Sequence, residues 1–212
     1  MAGRFILSML FAAQFLICAG SVSLATEPSG APPAAPPAAP ELPQASMDDP
    51  KIRAVVLDAL FTDLARAKSA DEAKSVSGAI FRVWMYSGSP SVDLLMGRGL
   101  DAFAEKDYDR ALFYFNEVVA IAPDFVEGWD KRAAIHYLKD DYAAALKDIE
   151  RVLKLEPRHF SAMGGLAIML RDLGDKKGAL DLYRRALKIN PWLDGAEQAE
   201  KSLSIEIEGR GI

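Results

Sequence analysis

The side chains that could do chemistry are few and poorly placed to do it together. The chain holds two histidines, His136 and His159, and one cysteine, Cys18. The histidines are separated by 23 positions and neither has a second ligand one helical turn away, so a metal site is not expected. His136 reads as a packing residue. His159 follows Pro157-Arg158 and reads as a surface or turn-packing residue. The acid pairs Asp48-Asp49 and Asp140-Asp141 have the right groups for proton transfer. That role needs a cleft and shifted pKa values, and helix capping accounts for them more simply. Gly97-Arg98-Gly99 lacks the strand and phosphate loop that would give a G-x-G run meaning. The reading is therefore no catalytic residue, no metal, no cofactor and no enzyme.

Charge and composition narrow the partners. The 212 residues carry 25 Lys+Arg against 30 Asp+Glu, a net charge of -5. Nucleic-acid binding needs clustered positive charge, which this balance does not supply, so no nucleic acid is expected. Half of the residues are hydrophobic, enough for a core.

The first residues read as an address. Arg4, an apolar run from Phe5 to Ala19 and the small-x-small end Ser23-Leu24-Ala25 have the form of a secretory signal peptide over 1–25, with a mature start at Thr26. An uncleaved anchor is the alternative, since Phe5 to Ala25 could just span a bilayer; Gln14 and the small-residue end weigh against it. Ile17 before Cys18 disfavours lipid attachment. A cleaved chain would contain no cysteine and no stable membrane insertion, which suits an oxidising compartment. The expected location is the periplasm, with secretion or signal anchoring as alternatives. Pro28 to Pro43 is almost entirely Pro and Ala, so 26–46 reads as an extended tether rather than a core segment; a Pro-rich ligand for another domain is the second reading.

The elements that must position any site repeat every 34 residues. Pro123, Pro157 and Pro191 recur on that period, as do Asp107, Asp141 and Asp175. Ala111-Leu112, Ala145-Leu146 and Ala179-Leu180 form another pair of columns, and Phe115, Ile149 and Tyr183 another. Such a period means a stacked architecture. Each copy divides into an A and a B helix. In the second copy, the spacing predicts A over about Val126–Lys139 and B over about Tyr142–Leu155. The periodic Asp caps helix B, the periodic Pro ends it, and the periodic Ala marks where A and B approach closely.

These columns resemble the tetratricopeptide repeat (TPR), whose pattern is W-x2-L-G-x2-Y…A-x3-F…P. The helix B half fits well: Ala111-x3-Phe115 then Pro123, Ala145-x3-Ile149 then Pro157, Ala179-x3-Tyr183 then Pro191. The helix A half fits loosely, with Leu95, Trp129 and Met163 in the Trp place. The resemblance implies an all-α solenoid of three helix-turn-helix repeats over 92–125, 126–159 and 160–191. Residues 47–91 should form a helix pair, as a degenerate repeat or cap, and 192–212 a capping helix and tail.

The resemblance also implies a function: binding a protein or peptide segment in the concave groove lined by the A helices. Its positions map onto Met96, Leu100 and Phe103 in the first copy, Asp130, Lys131 and Tyr137 in the second, and Ile168 and Arg171 in the third. Asp93, Glu127, Ala134, Ser161, Gly164 and Gly165 are further groove-facing places. The carboxylate clamp of some family members is broken here, because Met96 and Leu100 occupy its first positions. The whole chain is similar to small periplasmic TPR proteins of alphaproteobacteria, which implies an interaction scaffold linked to the cell envelope. The alternative is a helper subunit of an envelope lipid or polysaccharide enzyme.

Overall fold

The computed structural model describes residues 47–209; the export signal and Pro/Ala tether expected over 1–46 lie outside the described residues. Among the described residues the chain is helical without strands: α1 (Pro50–Arg66), α2 (Ala70–Trp84), α3 (Pro90–Ala104), α4 (Tyr108–Ile121), α5 (Val126–Leu138), α6 (Tyr142–Leu155), α7 (Phe160–Asp172), α8 (Lys176–Ile189) and α9 (Ala196–Glu208). Among these residues no helix is long and apolar enough to cross a membrane.

Local chemistry sets the helix ends. The periodic aspartates do what their position requires. Asp107, Asp141 and Asp175 accept hydrogen bonds from the backbone N–H of Arg110, Ala144 and Gly178 at 3.1, 3.1 and 2.9 Å. Each satisfies one of the free donors that a helix start leaves open. Pro50 and Pro90 open α1 and α3, where a missing N–H costs nothing. A third periodic column sits in the A-to-B turns: Lys106, Asp140 and Gly174 all have left-handed φ, at 61°, 60° and 90°. Only the last is glycine, so the first two turns carry a side chain where the backbone favours none.

Three antiparallel pairs, α3/α4, α5/α6 and α7/α8, stack in order as a TPR-type solenoid. Ala111, Ala145 and Ala179 are all fully buried at the A–B contact. In the first pair the approach is closer still, since a Cβ on Gly99 would lie 2.5 Å from the Phe115 ring. Between repeats, a Cβ on Gly128 would lie 2.6 Å from Val118, so α5 presses directly on α4. The equivalent place in the first repeat is Leu94, 56% exposed. No B helix precedes it, so neither small size nor burial is demanded there.

At the other end α9 caps α8 with Ala196 and Leu203 buried, and Arg184 is bridged to Glu200 and Glu208, both at 2.9 Å.

The N-terminal pair departs from a simple cap. α1 and α2 do not extend the stack beneath the first repeat. They pack on the third, sharing a core of Leu64, Ile80 and Trp84 with Phe160, Met163, Leu180 and Tyr183. α1 touches α8, Asn190 at the end of α8 donates to Ser77 of α2 (3.3 Å), and Arg158 is paired with Asp58 of α1 (2.6 Å). Trp84 is buried there, with Phe61 and Phe81 half-buried around it, and full burial of a large apolar side chain gains about 1.5–3 kcal/mol.

Candidate functional site

The A helices α3, α5 and α7 bring equivalent repeat positions into columns. Leu100, Ala134 and Ile168 form one; Phe103, Tyr137 and Arg171 form another; Asp93, Glu127 and Ser161 a third. The structure separates these expected partner-contact residues by depth. Leu100, Phe103, Ile168 and Arg171 are half-buried and present part of their surface. Met96, Asp130, Lys131 and Tyr137 are buried. Met96 belongs to the core of the first repeat, with Phe115 and Val118. Tyr137 packs with Ala162 and Met169 between the second and third repeats, and its hydroxyl donates to Asp172 at 2.7 Å. Burial, then the Asp172 carboxylate, push the Tyr137 pKa up, so it stays a donor.

The middle of the A-helix side holds a buried charged cluster. Lys131 reaches Glu127, one turn back on α5, at 2.5 Å and Asp130 at 2.9 Å. His159, read as a surface or turn-packing residue, is fully buried and packs in the turn. Its ring caps α7: Nδ1 accepts from the Ala162 N–H at 3.2 Å, with the Ser161 hydroxyl also 3.2 Å away. An Nδ1 that accepts leaves the proton on Nε2, which is 3.2 Å from Glu127 and donates to it. Burial would push the Glu127 carboxyl up, but the Lys131 charge and the His159 hydrogen bond overcome it and hold it at about 2. Burial would lower Lys131, and the two carboxylates overcome that and raise it. Trp84 lies over the opposite face of this arrangement, stacked on the His159 ring.

Glu127, Asp130 and His159 bring one ligand-type atom each within 4.8 Å of one another. They do not make a good cation site in this state. The Lys131 ammonium already lies against both carboxylates, and the histidine nitrogen that faces them carries its proton. The cluster is a structural joint between α5 and α7, with one ammonium shared by two carboxylates.

His136 lies between acids, 3.5 Å from Asp141 and 3.9 Å from Asp148. Asp148 is engaged by Arg132 in a two-pronged contact at 2.6 and 2.7 Å that ties α5 to α6. The acid pair Asp140-Asp141 serves a turn and a helix cap.

The Trp84–His159 contact was not legible from periodicity, because it joins helices outside one another's repeat. Glu127 is recognisable as a groove-facing position; its buried partner about one repeat further along is not.

With this geometry in view, the comparisons with known proteins are consistent. The tetratricopeptide-repeat family profile matches residues 132–191. A TPR repeat-containing protein of Rhizobium etli is 34% identical over 200 residues, covering 94% of this chain and 96% of its own. Among solved structures, the Sgt2 TPR domain from Aspergillus fumigatus superposes with a TM-score of 0.53 at 25% identity, covering 57% of this chain and 81% of that one. The first TPR of Spaghetti, bound to an HSP90 peptide, gives a TM-score of 0.53 at 19% identity over 55% of this chain and 93% of that one.

Proposed function

We propose, from the premise that the chain belongs to the tetratricopeptide-repeat family, that it is a non-catalytic scaffold that holds a segment of a protein partner on the A-helix side. One observation carries this reading. The columns Leu100–Ala134–Ile168 and Phe103–Tyr137–Arg171 run across three stacked repeats and keep half-buried side chains at both ends. Apolar area of that kind gains about 25 cal/mol per Å² when a partner removes it from water. That a TPR of the same fold is bound to an HSP90 peptide in the Spaghetti structure supports a peptide-like partner.

The reading extends to location. The signal-like residues 1–25 and the tether after them support export to the periplasm and a role in cell-envelope maintenance. Fractionation with N-terminal sequencing tests this, with a periplasmic species starting near Thr26 expected. The partner site is tested by capture from periplasmic extract with the wild-type chain and the Leu100→Asp/Phe103→Ala variant. Loss of the captured proteins with unchanged helical circular dichroism is the expected result. A folded variant that captures the same proteins removes these columns as the site.

A further inference from the structure

We propose that the surface of the third repeat beneath α2 is a receptor for an amphipathic helix bearing two aromatic residues three positions apart, and that α2 is its resident, displaceable occupant. The inference rests on the reading of the chain as a partner-binding scaffold and names a second surface for it, with the chemistry that surface selects.

α2 meets the third repeat as a helix ligand meets a groove. Ala73, Ser77, Ile80, Phe81 and Trp84 fall on one stripe of the helix. Trp84 stacks on His159, Phe81 sets its edge against Phe160 with centroids 5.6 Å apart, and Ser77 accepts from Asn190. Ile80 is fully buried in the shared core. None of this is local in sequence: α2 is followed directly by the first repeat, yet it docks on the third.

The receptor side is built without α2. The His159 ring is held by Ala162, Ser161 and Glu127, all from the repeats themselves. Glu127 is in turn held by Lys131. The imidazole platform is therefore oriented before any indole arrives, which is what preorganised recognition requires.

The occupant's apolar face belongs to the shared core, but its polar fastenings are weak. The Trp84 Nε1–H is buried and meets no acceptor among the described residues, so leaving the site recovers a hydrogen bond to water. The latch from α1, Asp58 to Arg158, is a surface pair with side chains 68% and 38% exposed. Arg158 also contacts Glu156 at 3.1 Å, so it keeps a counter-charge when Asp58 departs. Arg158 also lies over the Phe61 ring of α1 at 4.3 Å, beside a shallow surface depression bordered by Thr62 and Ala65. Residues 85–89 join α2 to α3, and Gly88 within them takes φ of 74°, a turn conformation that glycine adopts without strain.

The test uses the full chain and a labelled synthetic peptide spanning residues 69–86, titrated by fluorescence polarisation. In the wild type the resident helix competes and binding is weak. Asp58→Lys, which opens the latch, and Trp84→Ala, which weakens the occupant, should each tighten peptide binding at least tenfold. The peptide with both Phe81 and Trp84 replaced by Ala should bind neither variant. The proposal is overturned if both variants keep their helical signal and neither binds the peptide better than wild type, or if the aromatic-free peptide binds equally well. Asp58→Lys decides the matter should Trp84→Ala fail to fold. Partner capture by the Leu100→Asp/Phe103→Ala variant is measured separately, so failure here is distinguishable from failure of the scaffold reading.

Discussion

The indole of Trp84 lies flat on the imidazole of His159, with ring centroids 4.0 Å apart and planes 8° from parallel. One ring closes the N-terminal helix pair; the other caps α7. The contact therefore connects two parts of the chain that the repeat pattern treats as unrelated. It also touches a buried charged cluster, because the same imidazole donates to Glu127 from its edge. A single stacked pair thus couples the docking of α1–α2 to the joint between the second and third repeats.

Trp84→Ala should cost about 3–5 kcal/mol, the range for truncating a buried large aromatic. The loss should be uneven along the chain. In native-state hydrogen exchange, α1 and α2 should lose protection while α5 and α6, whose cores lie apart from Trp84, retain theirs. Equal loss in all helices would show that the pair is an integral part of one cooperative unit.

Ala145→Trp tests the A–B contact of the second repeat. Ala145 is fully buried between α5 and α6, beside Ala133 and Ile149. Overpacking typically costs about 1–3 kcal/mol, and an indole at an alanine contact should reach or exceed the top of that range. Chemical denaturation should show a lowered midpoint; an unchanged midpoint would mean that the two helices part there without penalty.

Much of the fold is legible in residues that recur every 34 positions, because those residues act locally. Asp141 caps α6, Ala145 is fully buried against α5, and Pro157 follows the end of α6; each needs only its own repeat to be understood. What periodicity does not reveal is long-range. Met96 and Tyr137 occupy groove-facing places by pattern, yet they are buried, since a column position fixes direction and not depth. His159 looked like a turn residue because only its neighbours in sequence are visible there. Its cover, Trp84, comes from 75 positions earlier. The stripe of apolar residues on α2 announced a buried face, but nothing in it named the third repeat as the surface it meets.

Gly164→Ala should stabilise the protein. Gly164 is inside α7, where glycine is less favourable than alanine by about 0.8–1.0 kcal/mol. An added Cβ would meet only Leu193, at 3.6 Å, an ordinary contact distance. The expected gain is about 0.4–1 kcal/mol, read as a higher denaturation midpoint. The contrast is Gly128→Ala, where the 2.6 Å approach to Val118 should make the same change destabilising. If Gly164→Ala also destabilises, tight packing rather than backbone freedom accounts for that glycine.

The buried cluster makes a prediction with a sign in pH. The folded-state pKa of Glu127 is depressed, from an ordinary value of 4.5 to about 2. A depressed carboxyl contributes stability that is complete above its unfolded value and is lost as pH falls through its folded one. Wild-type stability should therefore decline between those two values as the unfolded chain takes up the proton first. Lys131→Met removes the ammonium from between Glu127 and Asp130 and leaves two carboxylates buried without their counter-charge. Breaking a buried pair in this way costs about 3–5 kcal/mol at neutral pH. Burial then acts on Glu127 unopposed by Lys131 and moves its pKa upward, so protonation relieves the variant where it harms the wild type. The gap between their urea midpoints should be widest near neutral pH and narrow towards about pH 4. Adding Glu127→Gln to Lys131→Met should recover part of the loss, since it removes the stranded charge while keeping an acceptor for the His159 Nε2–H. A gap that stays constant with pH, with no recovery in the double variant, would show that Lys131 stabilises the joint by packing its alkyl chain and not through its charge.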